Sequence, residues 1–238
     1  MNRQAIEDAM AQRLEAKSLR RDAQKESDPK ARVALLEDAE AALQAAISTL
    51  RRELRAGERQ ALTRSERAEL RELLSSTMGS LGGTYRDAKD YVRAIKAYDD
   101  GNDIEQERRT EDGHLDSYNL VQRLVVRLLQ KPELRKDMPF KAELEKVERE
   151  LDRQRSLGRR DSWFLADVIL VKFLLDEPAD KVLTELESKD ADASFYESTD
   201  QVIGALLDEG LGKGGELESA LQRLRQLLQR RGGLKVSS

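Results

Sequence analysis

The chain has 238 residues, of which 37% are charged and 4% aromatic, with a formal net charge of −4 and no cysteine. Without cysteine there is neither a disulfide framework nor a thiolate metal site, and the acidic balance argues against a dedicated nucleic-acid binder, which carries a basic face. Acidic and basic residues interleave along apolar stripes, the pattern of solvated helix faces around a core of Leu, Ala, Val and Ile.

The opening MNRQAIEDAM lacks the apolar core of a signal peptide. Ile6, Ala9, Met10, Leu14 and Ala16 then recur at helical spacing, which predicts a first helix over 2–26. Ser27-Asp28-Pro29 ends it and starts another, with Asp28 as N-cap and Pro29 at the first helical position. That second helix is expected to run to Ala56, where Gly57 stops it, with Val33, Leu35, Leu36, Ala39, Leu43, Ala46, Ile47 and Leu50 as its stripe. Thr63-x-x-Glu66 is a capping box and opens a third helix to about Ala88.

A fourth helix is predicted from Tyr91 to Arg109, broken at Glu111-Asp112-Gly113. A fifth covers Leu115–Gln130 and closes at Lys131-Pro132. A sixth starts near Pro139 and ends near Ser156-Leu157-Gly158; Asp161 caps a seventh through Leu175. Pro178 begins a short eighth, the capping box Ser194-x-x-Glu197 a ninth, and a tenth covers Glu216–Arg231. The fifth and seventh are apolar around most of their circumference, so each must be covered on several sides. Val168–Leu175, the most apolar stretch, is interrupted by Lys172 and too short to span a bilayer, so neither a membrane partner nor a non-cytoplasmic address is expected. No stretch alternates as a strand does, and the fold class is all-α.

The strongest local pattern is Met78-Gly-Ser-Leu-Gly-Gly-Thr-Tyr85, followed by Ala88-Lys-Asp-Tyr91, Ala94-Ile95 and Tyr98. It resembles the tetratricopeptide repeat (TPR): a large residue, Leu-Gly three and four places on, Tyr three after the Gly, then Ala nine later and an aromatic four beyond. Gly101 stands where that pattern has a small Ala. A fainter match starts at Trp163, with Ala166-Asp167, Leu170, Ala179, Leu183 and Leu186 at the corresponding places. The likeness is specific over 75–108, weaker over 160–193 and architectural elsewhere. Leu115-Asp-Ser-Tyr-Asn-Leu-Val and Asp161-Ser-Trp-Phe-Leu-Ala-Asp are also similar to the degenerate TPR regions called TRAF-binding-domain-like, which accompany bacterial effector and defence enzymes.

The resemblance implies an α-solenoid of about five antiparallel hairpins, a TPR-like right-handed superhelix forming a single domain over 1–232, with 233–238 as a flexible tail. It also implies that the first helix of each pair lines a concave groove. Carried onto this chain, the groove residues are Ser76, Gly79, Gly83, Arg86 and Asp87, joined by Asn119, Gln122 and Arg123 in the next pair. The implied function is a non-catalytic adaptor binding a peptide or protein partner. A regulatory subunit that restrains or recruits an effector enzyme is one alternative, and a helical enzyme built on carboxylates another. Self-association through apolar solenoid ends is compatible with all three.

No sequence feature asks for a cofactor or a metal. His114 is the only histidine and reads as structural; Asp112 and Asp116 beside it do not form an EF-hand ladder. Gly210-Leu-Gly-Lys-Gly-Gly lacks the Ser or Thr and the preceding strand of a phosphate loop, so it reads as a flexible break. Arg223, Arg225, Arg230, Arg231 and Lys235 read as cations placed near a helix C-terminus.

Overall fold

The computed structural model describes residues 2–60, 62–113 and 115–233; His114 and Lys235, and with Lys235 most of the expected tail, lie outside them. These residues form ten α-helices and no strand. The helices are α1 (Arg3–Lys25), α2 (Pro29–Gln60), α3 (Arg64–Asp87), α4 (Tyr91–Asp112) and α5 (Tyr118–Gln130). After a 3₁₀ turn at Pro132–Lys136 come α6 (Met138–Ser156), α7 (Ser162–Leu174), α8 (Asp180–Glu187), α9 (Ala193–Asp208) and α10 (Glu216–Gly232). The chain divides into two compact units, Met1–Arg123 and Leu124–Ser238, with the division inside α5.

In the first unit α1 lies along α2 and also meets α3, α2 packs on α3, and α3 on α4. The α1–α2 seam is built on alanine. Ala9, Ala16 and Ala23 recur every seven residues on α1 with at most 1% exposure, and Ala39, Leu43, Ala46 and Leu50 are fully buried on α2. A seven-residue repeat keeps one stripe facing its partner, and alanine lets the helices approach closely. Ile6, Ala9 and Ala16 of the expected stripe are buried, whereas Met10, Leu14 and Val33 are 47%, 65% and 54% exposed. Apolar spacing placed the α1 stripe but drew it too wide, because the small Ala residues, not Met10 and Leu14, fit the narrow seam.

Helix α3 begins at the expected capping box, with Thr63 Oγ1 accepting from Glu66 N and Glu66 Oε2 accepting from Thr63 N at 2.9 Å. Gly82 then takes the Tyr98 ring of α4 so closely that a Cβ would sit 2.7–2.9 Å from it. Gly83 faces Arg20 of α1 and Gly79 faces Tyr118 and Asn119 of α5, so α3 is approached on three sides where its side chains vanish. Ala94 and Tyr98, the next two residues of the repeat pattern, are fully buried on α4, and Tyr85 is buried on α3 with its hydroxyl donating to Glu40 Oε1 at 2.9 Å.

Several boundaries move from their expected places. Helix α2 runs past Gly57 to Gln60, because Gly57 makes room for the Leu62 side chain and its carbonyl accepts from Leu62 N at 3.2 Å. Helix α4 extends to Asp112 and stops at Gly113 in the left-handed conformation. Leu115 is buried ahead of α5, which starts at Tyr118 rather than at Leu115.

In the second unit α7 is the hub and packs against α6, α8, α9 and α10. Phe164, Leu165, Ile169 and Val171 are fully buried, as a helix apolar all round requires. Asp161 caps α7 as expected, accepting from Phe164 N at 3.0 Å. Helix α8 starts at Asp180, two residues after Pro178. Asp192, not Ser194, caps α9: its carboxylate accepts from Phe195 N at 2.8 Å and from Ser194 Oγ at 2.6 Å. A carboxylate two residues earlier outcompetes the hydroxyl for the first free amides. The 210–215 segment is a built turn: Leu211 is buried, its N–H donates to Leu206 O at 3.0 Å, and Gly210, Gly212 and Gly214 all adopt positive φ.

Gly82→Ala gains about 1 kcal/mol of helix propensity but drives a methyl into a buried ring, an overpacking cost of roughly 1–3 kcal/mol. The expected outcome is a net loss of stability, read as a lower urea midpoint with an unchanged slope.

Candidate functional site

One face of α3 carries Ser76, Gly79, Ser80, Gly83 and Asp87, spaced by three or four residues and therefore stacked along the helix. Arg13 and Arg20 of α1, seven residues apart, reach this face from one side, and Tyr118, Asn119 and Gln122 of α5 from the other. All of these residues belong to the first unit.

The centre is Asp87, whose carboxylate is 10% exposed. Its Oδ2 accepts from Arg20 Nη2 at 2.7 Å and Nε at 3.2 Å and from Gln24 Nε2 at 3.2 Å. Its Oδ1 accepts from Arg86 Nε at 3.2 Å and Nη2 at 3.1 Å. Arg86 in turn donates from Nη1 to Gln122 Oε1 at 3.2 Å, so one chain of charge-assisted bonds crosses α1, α3 and α5. Burial alone raises the Asp87 pKa, but Arg20 and Arg86 outweigh it and hold the carboxyl below its ordinary range. Burial likewise opposes the charge on Arg86, and Asp87 overcomes it and pushes the guanidinium upward.

The structure brings the eight sequence-predicted residues into this one unit and gives most of them internal work. Gly83 lies under the Arg20 guanidinium, and Gly79 under the Tyr118 ring and Asn119 Oδ1. Asn119 is buried against Gly79 and Gly101, and its Nδ2 donates to Ser75 O at 3.2 Å and Ser75 Oγ at 2.9 Å. Arg123 pairs with Asp99 at 2.9 Å. Ser76 is half-buried, its hydroxyl donating to Glu72 O at 2.9 Å.

Sequence reasoning missed Arg13 and Arg20, which lie more than sixty residues from the atoms they meet. Arg13 is half-buried and donates from Nε to Ser80 Oγ at 3.4 Å. Burial pushes its guanidinium below the ordinary value, with Tyr118 and Glu72 acting against the shift. Glu105 of α4 was also unforeseen. It is 1% exposed, accepts from Asp116 N at 2.9 Å, and burial raises its carboxyl above the usual range.

The guanidinium groups stand over a floor of buried glycine and serine, with Arg20 filling the room at Gly83 and Tyr118 and Asn119 the room at Gly79. Among the described residues no group of three His, Cys, Asp or Glu could hold a metal ion, and no helix is long and apolar enough to cross a membrane. No protein-family model, no curated protein and no solved structure matches the chain.

Asp87→Asn leaves two largely buried guanidinium groups without their anion, at an expected cost of roughly 3–5 kcal/mol. The pH dependence has a definite sign. The folded pKa of Asp87 lies below the unfolded value of about 3.9. Its contribution is therefore fully present above that value and drains as pH falls through the folded pKa. Urea titrations of both proteins at pH 7 and in the acid limb are expected to show the gap between them narrowing as pH drops.

Proposed function

We propose that the chain is a non-catalytic TPR-like interaction module, in which the α3 face flanked by α1 and α5 receives a segment of a partner protein. The observation that carries this reading is α3 itself. A helix with Gly79, Gly82 and Gly83 in its last turns gives up roughly 1 kcal/mol of propensity at each glycine. Two of them admit neighbouring helices at close range, and Gly83 admits a guanidinium. Gly82 lies against Tyr98 and Ala94 is fully buried one turn away, contacts that support the likeness to the repeat. In a repeat solenoid the face left by such packing is the one that meets ligand.

The chemistry of the buried acids also favours binding over catalysis. Glu53 accepts from Asn2 N at 3.0 Å, Asp87 is held by two arginines, and Glu105 accepts from a backbone amide. Each of these three works as an anchor of local structure, and Glu105 also meets the Ser75 hydroxyl, which itself donates to Gly101 O at 3.1 Å. The reading as an adaptor and the reading as a subunit that regulates an effector enzyme share this surface.

Ser76→Trp tests the surface with bulk rather than charge. Size-exclusion of the full chain with a partner purified from its host is expected to show loss of the complex at unchanged helicity. Retention of the complex at wild-type affinity would move the interaction to another face.

A further inference from the structure

The acid–base balance along the α3 face leaves positive charge unspent. Arg20 and Arg86 share one carboxylate, Asp87. Among the described residues Arg13, one heptad before Arg20 on α1, has no carboxylate within ion-pair distance, and its hydrogen bond goes to the neutral Ser80 hydroxyl at the long distance of 3.4 Å. Glu72, an acid whose field reaches Arg13, is itself engaged by Arg108 at 2.9 Å and is largely exposed. A half-buried guanidinium held this way costs stability, since it has lost water on one side and gained only a weak acceptor. Arg13 itself is only partly covered.

Geometry adds direction to the surplus. Ser80, which anchors Arg13, follows Gly79, over which the Tyr118 ring lies. Tyr118 is within electrostatic reach of both Arg13 and Arg86. Arg20 is fixed flat against Gly83 by the fork it makes to Asp87, so its position does not depend on a ligand. A planar, fixed guanidinium and a second one seven residues away, about 10 Å along a helix, form a short cationic track rather than a point charge.

We propose that Arg13, backed by Arg20 and Ser80 where α1 packs beside α3, binds a side-chain carboxylate of an acidic segment in the partner protein. This rests on the interaction reading above and adds to it the chemistry of the partner. Arg13 binds by recruiting the anion that the fold itself withholds, so the residue exchanges stability for recognition. The fork of the guanidinium favours a carboxylate in bidentate contact.

The test uses the full chain, with the capped hexapeptide acetyl-Glu₆-amide and, separately, inorganic phosphate as probes, followed through the arginine Nε resonances at low salt. The peptide is expected to shift Arg13 and Arg20 saturably, with binding weakened by added salt. Arg13→Gln is expected to weaken the peptide at least tenfold while leaving the unfolding midpoint equal or higher, and Arg13→Lys to recover part of the affinity. Shifts confined to exposed arginines such as Arg223, or equal affinity in Arg13→Gln, would overturn the assignment. Saturable phosphate binding with a silent peptide would overturn it too, since the site would then take a free oxyanion. A partner that still binds Arg13→Gln at full affinity sinks the carboxylate site alone. A partner that ignores Ser76→Trp, beside a peptide that needs Arg13, sinks the groove reading and leaves the carboxylate site standing.

Discussion

The Asp87 carboxylate, gripped from α1 by Arg20 and from its own helix by Arg86, is the interaction on which the first unit depends. A charge this far out of water is tolerable only when its partners are fixed and its lone pairs are filled, and both conditions hold here. The grip needs α1 close to the C-terminal end of α3, which the glycine at position 83 permits. It also needs α1 held against α2, which the alanine seam supplies. Small residues set the distances, and the charges then fix the register. Neither would be enough alone. An alanine seam tolerates sliding by a heptad, whereas a two-sided grip on one carboxylate does not.

The same economy explains why α3 and α7 look so different in sequence while each stands at the centre of its own unit. Helix α7 meets its four neighbours with bulk, through Phe164, Leu165, Ile169 and Val171. Helix α3 meets its neighbours partly with absence, through glycine and serine, and so places backbone and polar groups where α7 places a core. Bulk yields a stable but chemically mute helix. Absence yields a helix that its neighbours approach closely, with Tyr98, Tyr118 and Arg20 filling the room at the glycines.

Much of the fold was legible because its signals are local. The Thr63–Glu66 box and the Asp161 cap each act within one turn and stand where their residues predict, while Gly113 stops α4 three residues past its expected end. What the sequence hid is contact between distant residues. Gly57 looked like a helix stop because nothing nearby in sequence announces that Leu62 needs its space. Met10 and Leu14 looked like core because hydrophobic spacing does not reveal how narrow the seam with α2 is. Ser194 looked like a cap because a capping box was matched without comparing the stronger acceptor at Asp192. The resemblance singled out Asp87 on α3, but Arg13 and Arg20, which reach that helix, lie 67 positions from Ser80 and Asp87. No periodicity links them.

The α3 face and the flanking turns of α1 are the surface proposed to meet a partner. Hydrogen–deuterium exchange of the full chain, free and with partner bound, measures this directly. The account predicts new protection concentrated in residues 9–24 and 76–87, with the second unit little changed. Protection confined to 193–232, with 76–87 exchanging as in the free chain, would contradict it.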